Sequence, residues 1–261
     1  MWARGLVGAA AATALAVAVT TAVSGGDGGG DGAPTDLTSA RAVLLAAADR
    51  AETAPGDGRY WRVTVTTGDA RRVHADWITR DGQRWVGHHS ADGDGPRSGL
   101  HKLKGLRPEP VTVLGPDPGL KALMALPASP AALRSLAERH APADSPHQTK
   151  RGYVVDAFVE LLTRHPVPPK VRAAAYRALA DLPGVRSLGE IRDARGRKGV
   201  ALSFTDRSPR LGTKETRLII DPRTSQVLST AFVSSRKGRS GPVLYLGAVW
   251  TNDPPAVPGL P

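Results

Sequence analysis

Residues 60–66 read YWRVTVT, a run of β-branched and aromatic side chains that alternates with a period of two. Such a run predicts a β-strand. Residues 72–80 repeat the same period, and Asp81-Gly82 then supplies a two-residue turn before a returning strand at residues 83–87. These segments predict three consecutive strands of an antiparallel sheet.

The C-terminal part of the chain predicts five further strands with short links between them. The links 194–197 and 222–225 have hairpin length, which favours an antiparallel meander over parallel crossover units. The predicted strands are residues 185–192, 199–204, 215–221, 227–234 and 243–251. Residues 88–104 are rich in Gly, Asp and His, and they predict either a mobile loop or a strand pair with an insertion.

Helical periodicity separates the two groups of strands and also precedes the first group. Apolar residues recur at spacings of three and four, and Ser129-Pro130 forms a cap and first-turn pair. The predicted helices are residues 38–53, 130–140, 153–165 and 168–182. The order predicts an α+β domain over residues 38–261, in which helices cover one face of an antiparallel sheet.

The N-terminal segment, residues 1–24, predicts export across a membrane. Arg4 precedes an uncharged run at residues 6–23, which would extend about 27 Å as a helix and so just cross a bilayer core. Ala22-Val23-Ser24 also fits a cleavage site, so a signal peptide and a signal anchor both stay open. Arg4 favours the anchor, because positive charge marks the cytoplasmic side. Residues 25–37 then form a Gly-rich linker to the extracytoplasmic domain.

The amino-acid composition excludes several classes of function for this chain. The chain has no cysteine, which excludes disulfides, a thiol nucleophile and a lipoprotein anchor. Its net charge of +11 is dispersed along the sequence, which indicates a solvated basic surface or weak attraction to anionic envelope polymers. Nucleic acid is not an expected partner of an exported domain.

The sequence contains no motif that predicts catalysis, a metal site or a cofactor. There is no Gly-x-Ser-x-Gly elbow, and residues 92–95 begin like a calcium loop but lack its later ligands. Asp221 with Asp193 or Glu190 fits ordinary turn chemistry better than a carboxylate pair. Four histidines lie close in sequence and could approach one another across a hairpin: His74, His88, His89 and His101. No carboxylate at a suitable spacing completes a metal site with them. We therefore predict a non-enzymatic protein without a cofactor.

Three stretches, at residues 166–185, 192–201 and 218–224, carry a family resemblance together with Arg59-Tyr60-Trp61. They resemble a large, uncharacterised actinobacterial family of membrane-anchored proteins often encoded beside extracytoplasmic-function sigma factors. The resemblance implies a membrane-tethered domain that senses or binds a partner at the cell envelope, in connection with sigma-factor signalling.

The layout of the domain is also similar to the half-open β-barrel of lipoprotein carriers and of a periplasmic stress regulator. That similarity implies a curved sheet around helices and an apolar cavity, which Trp61, Val63, Trp77 and Trp85 would line. The alternative function is thus a carrier of a lipid or acyl chain, and an enzyme with dispersed site residues is a second alternative. Expected partners are the membrane, through residues 6–23, and an apolar ligand or an envelope protein.

Overall fold

The structure is a computed structural model, and most of the predicted domain is described in it. The predicted apolar helix and the Gly-rich linker lie outside the described residues, as do the calcium-like residues 92–95. The described residues are 39–91, 98–104, 113, 119–143, 145, 148–208, 210, 212–236 and 238–261.

The described residues form five helices and ten strands. The helices are α1 (Ala40–Glu52), α2 (Leu120–Met124), α3 (Pro130–His140), α4 (Lys150–Thr163) and α5 (Pro169–Ala180). The strands of the first group are β1 (Tyr60–Thr67), β2 (Arg72–Thr79), β3 (Arg84–Ser90) and β4 (Ser98–Leu103). Those of the second group are β5 (Val185–Arg192), β6 (Lys198–Ser208), β7 (Gly212–Asp221), β8 (Gln226–Ser234), β9 (Gly238–Arg239) and β10 (Val243–Thr251).

Nine of these strands form one antiparallel sheet in the order β4-β3-β2-β1-β10-β8-β7-β6-β5, and the short β9 pairs with β8 off this path. The sheet is not closed into a barrel. Its narrowest junction is between β10 and β8, where only Val243 with Thr230 and Leu244 with Ser229 are paired. This junction therefore joins two more extensively paired parts of the sheet, β4-β3-β2-β1-β10 and β8-β7-β6-β5.

The main core lies between one face of the sheet, called here the inner face, and the helices. Helix α5 is buried along most of its length, and α1 packs on it through alanines such as Ala47 and Ala48. Small side chains at such a contact let two helix backbones approach closely. Ser39 and Ser129 cap α1 and α3 as Ser-type residues do at helix starts.

The sequence predicted the α+β class, the antiparallel sheet and the covering helices, and the structure confirms all three. The segment 88–104 contributes an extended β3 and the strand β4, with residues 92–97 outside the described part. Helix α2 and strand β9 were not predicted, because both are too short to give a periodic signal. Within the described residues, no helix combines the length and apolar character that crossing a membrane requires.

Candidate functional site

The four residues expected to line one cavity lie on two different faces of the sheet. Trp61 and Val63 belong to the main core on the inner face. Trp77 belongs to a separate buried cluster with Tyr60 and Ala75, against which Trp85 packs. Neighbouring side chains of a strand point to opposite faces, and β1 and β2 pair so that Trp61 is opposite Ile78 while Trp77 is opposite Arg62. The four residues therefore do not line one cavity.

On the inner face, Trp61 is a packed core residue. Its indole Nε1 donates a hydrogen bond to the carbonyl oxygen of Arg164 at 2.9 Å. The guanidinium of Arg172 lies 5.7 Å from the ring and donates to the carbonyl oxygens of Leu162, at 2.9 Å, and Leu161, at 3.4 Å. Burial lowers the pKa of Arg172. These contacts join β1 to the end of α4, which gives Trp61 a structural role.

A small recess lies where α4 meets β6 and β7. Lys214 Nζ is 2.6 Å from Asp156 Oδ2 at this recess, and burial raises the pKa of Asp156 although Lys214 opposes the shift. Asp206 accepts a hydrogen bond from the backbone N–H of Thr149, the residue that caps α4. The charges of the recess are thus engaged with one another and with a helix end, as in a structural polar cluster.

Three of the four histidines share one face of the sheet. His74 lies opposite His88 in the ladder, and the rings of His88 and His101 stack with centroids 5.6 Å apart. His74 Nε2 is also 3.2 Å from Asp76 Oδ2. His89 points to the opposite face. No group of three His, Cys, Asp or Glu side chains in the described part of the chain is arranged to hold a metal ion.

The other face of the sheet, called here the outer face, carries a groove on β2 and β3. Ala75 lies opposite Gly87 in the ladder, and these two small residues form the floor. The floor continues onto β4, where Leu100 lies opposite Gly87. We call this feature the outer groove.

Bulkier side chains form the two walls of the outer groove. One wall is the pair Trp77 and Trp85, and the other is the pair Val73 and His89. The ring of Tyr60 meets Trp85 edge to face at 5.8 Å, and Lys102 Nζ lies 5.1 Å from the centre of the Trp85 ring. These contacts fix the aromatic wall in place.

Residues 256–258 of the same chain lie against this groove. A Cβ atom added at Gly87 would lie 2.9 Å from the carbonyl oxygen of Ala256 and 3.0 Å from Pro258 Cδ. His89 Nδ1 is 3.0 Å from the carbonyl oxygen of Pro258, and because a carbonyl only accepts, Nδ1–H is the donor. Gly87 is therefore a glycine at a point of close backbone approach.

Burial along the C-terminal segment, residues 252–261, has a period of three. Residues 254–261 read PPAVPGLP, and within residues 252–261 only Pro255 and Pro258 are half-buried while the others are exposed. A polyproline II helix has three residues per turn, so residues at this spacing share one side. Two contacts hold the start of the segment: the backbone N–H of Arg59 donates to Asn252 Oδ1 at 3.1 Å, and Arg62 lies 3.4 Å from Asp253.

Sequence reasoning missed both the groove and its occupant. Two signals were present in the sequence: the Pro255-x-x-Pro258 spacing and a glycine, Gly87, inside a strand pattern. Neither signal shows where the proline-rich segment lies, because His89 and Pro258 are 169 positions apart in sequence.

No protein-family model, curated protein or solved structure was found to match this chain. The resemblance to the actinobacterial membrane-anchored family therefore stays a prediction from the residues that carry it.

Proposed function

We propose that this chain is a non-enzymatic binding domain of the cell envelope, tethered to the membrane through residues 6–23, and that the outer groove is its binding surface. The observation that supports this proposal is the close approach of the chain's own Ala256 and Pro258 to Gly87 and His89 in the groove. A groove that accepts one extended chain has the shape needed to accept another.

The side chains around the groove suit binding better than catalysis. Trp77, Trp85 and Tyr60 offer aromatic surface, and His89 offers an N–H to a backbone carbonyl. Aromatic residues give large contact area at a low cost in conformational entropy, which is why they are enriched at binding surfaces. General acid–base catalysis would instead need positioned titratable groups within reach of a reacting atom.

The tether follows from the N-terminal sequence. Arg4 before the uncharged run at residues 6–23 favours an anchor whose following domain lies outside the cytoplasm. The Gly-rich residues 25–37 would separate the domain from the bilayer and let it reach partners at the envelope. In this proposal the domain binds a partner at the cell envelope, and the family resemblance suggests that this binding regulates sigma-factor signalling.

Cysteine labelling tests the placement of the domain, because the chain has no cysteine of its own. Leu100→Cys, where the groove floor continues onto β4, and Leu188→Cys on β5 are matched positions, since both leucines are exposed. A membrane-impermeant maleimide should label both variants in intact cells, and both should fractionate with the membrane. Labelling that occurs only after lysis would contradict the proposal.

The same two cysteines test the binding surface. A thiol-reactive photocrosslinker attached at Leu100→Cys should give a discrete crosslinked adduct with a partner in cells, whereas the Leu188→Cys control should give none. Equal adduct patterns at the two sites would remove the outer groove as the binding surface.

The alternative function is a carrier of an apolar ligand in a half-barrel. The open sheet with helices on one face is the feature that favours it. Its ligand would lie between the inner face and the helices, where Trp61 and Val63 are packed in the core, so the helices would have to move away from the sheet. Native mass spectrometry of the chain purified from its own host tests this: a co-purifying lipid supports the carrier, and an empty protein contradicts it.

A further inference from the structure

We propose that the partner of the outer groove is an extended proline-rich segment of another protein. Residues 252–261 then act as a built-in competitor, which occupies the groove until that segment displaces it. The inference rests on the proposed function, since it names the chemistry of the ligand for the same surface.

The way the chain fills its own groove indicates the class of ligand. Pro258 lies against Gly87, and Pro255, three residues earlier, is the other half-buried residue of the segment, while Ala256 and Val257 between them are exposed. Proline-rich segments adopt the polyproline II helix before they bind, so they lose little conformational entropy on docking to aromatic-lined grooves. A second segment with the Pro-x-x-Pro spacing would present the same two rings to the groove.

A hydrogen-bonding group of the groove points to the same class. His89 Nδ1 donates to the carbonyl oxygen of Pro258. This group is a donor, and a polyproline II segment carries backbone carbonyls that no internal hydrogen bond uses.

The segment is held in a way that permits exchange. Its starting ion pair, Arg62 with Asp253, spans 3.4 Å, and the carboxylate side chain is 70% exposed. Val257 and Leu260 are exposed apolar side chains that contribute little burial. The segment follows β10 directly, so its effective concentration at the groove is on the order of millimolar, and a partner must overcome that competition.

A labelled peptide tests the competition. The probe is a fluorescent decapeptide with the sequence of residues 252–261, NDPPAVPGLP, titrated by anisotropy with the full chain in detergent micelles. In the double variant Pro255→Ala and Pro258→Ala, the resident segment loses both of its half-buried rings. The probe should then bind about tenfold tighter or more than to the wild type, because its intramolecular competitor is weakened.

Two further variants control the measurement. Pro254→Ala makes the same chemical change at an exposed position and should bind the probe as weakly as the wild type. Gly87→Ala places a Cβ against Ala256 and Pro258, so it should release the resident segment and also prevent the probe from binding. Release is measured by a red shift in tryptophan emission, and circular dichroism confirms that each variant is folded.

Three outcomes would overturn the inference. Equal affinity of the probe for the wild type and the double variant would show that residues 252–261 do not compete for its site. No binding to a folded double variant whose segment is released would make the groove an internal packing site. A wild-type dimer that exchanges its segments would make a second copy the occupant. The first and third outcomes leave the maleimide labelling and the Leu100→Cys adduct unaffected, so the proposed function can stand without this inference. The second outcome also removes the outer groove as the binding surface, and the maleimide labelling of the tethered domain is then tested alone.

Discussion

The guanidinium of Arg197 lies 2.6 Å from the carboxylate of Asp193, whose side chain is fully buried. Arg197 also donates to the carbonyl oxygens of Leu228, at 2.9 Å, and Tyr245, at 2.7 Å. Those carbonyls belong to β8 and β10, the two strands whose ladder has only two residue pairs. One side chain from the β5–β6 hairpin thus bridges the narrowest junction of the sheet.

Replacing Arg197 by Ala should lower the free energy of unfolding by about 3 kcal/mol, because it leaves a buried carboxylate without its countercharge. Urea unfolding measures the loss. Arg223→Ala is the matched control: Arg223 pairs with Asp221 at 3.2 Å, but its side chain is 77% exposed, so the loss should stay below about 1 kcal/mol. Similar losses in the two variants would contradict the bridging role of Arg197.

Gly152→Ala should destabilise the domain by about 1–2 kcal/mol, although Ala normally stabilises a helix relative to Gly. The reason is that an added Cβ would collide with the carboxylate of Asp206, which accepts a hydrogen bond from the backbone N–H of Thr149 at the start of α4. Gly247→Ala, at a strand position with open space around it, should change stability by less than about 0.5 kcal/mol. Thermal unfolding followed by circular dichroism distinguishes the two glycines, and a gain in stability for Gly152→Ala would refute the close contact.

Arg172→Met should cost about 2 kcal/mol of stability. Met fills much of the same volume, but it leaves the carbonyl oxygens of Leu161 and Leu162 at the end of α4 without the guanidinium donor. Lys170→Met, on the exposed side of the same helix, should have little effect. Guanidinium chloride unfolding provides the comparison. Equal stability of the wild type and Arg172→Met would show that these two hydrogen bonds contribute nothing net.

Stability should fall as the pH drops from about 6.5 toward 4. Burial, with smaller contributions from Arg164 and Arg84, lowers the pKa of His165 from 6.5 to about 4. The neutral ring is favoured in the folded state, so the unfolded state binds a proton more tightly in this window. The stabilisation is complete above pH 6.5 and is lost progressively below it, by about 2 kcal/mol after allowance for partial exposure.

Urea unfolding at pH 7.5, 6, 5 and 4.5 on the wild type and on His165→Asn measures this effect. The variant lacks the ionisable ring, so its stability should decline less over that range. Parallel declines in the two proteins would assign the pH dependence to other groups.

Much of the fold could be predicted from the sequence because its signals are local. The strands at residues 185–192 and 243–251 and the helix at residues 130–140 have the predicted bounds, and each shows a regular period with clear end signals. The alternation in residues 60–66 predicted a strand that the structure contains as β1. Predictions about export, the tether and the partner concern residues 1–37 or molecules outside the structure, and they stay predictions.

The candidate site could not be predicted in the same way. The two-residue alternation shows that Trp77 and Trp85 can share a face of their hairpin. It does not show which face the helices cover or which face the C-terminal segment packs on. Pairing between distant segments decides this, since one residue of register moves every side chain to the other face.

The sequence by itself therefore determined most of the longer elements of this protein, α2 and β9 excepted, and that residues 60–87 start an antiparallel sheet. Only the tertiary structure decided that Trp61 is a core residue while Trp77 walls a groove, and that Pro258 lies beside His89. The physical reason is distance along the chain. Backbone periodicity and capping act over a few residues, whereas a groove and its occupant form only when segments 169 positions apart are brought together by the folded sheet.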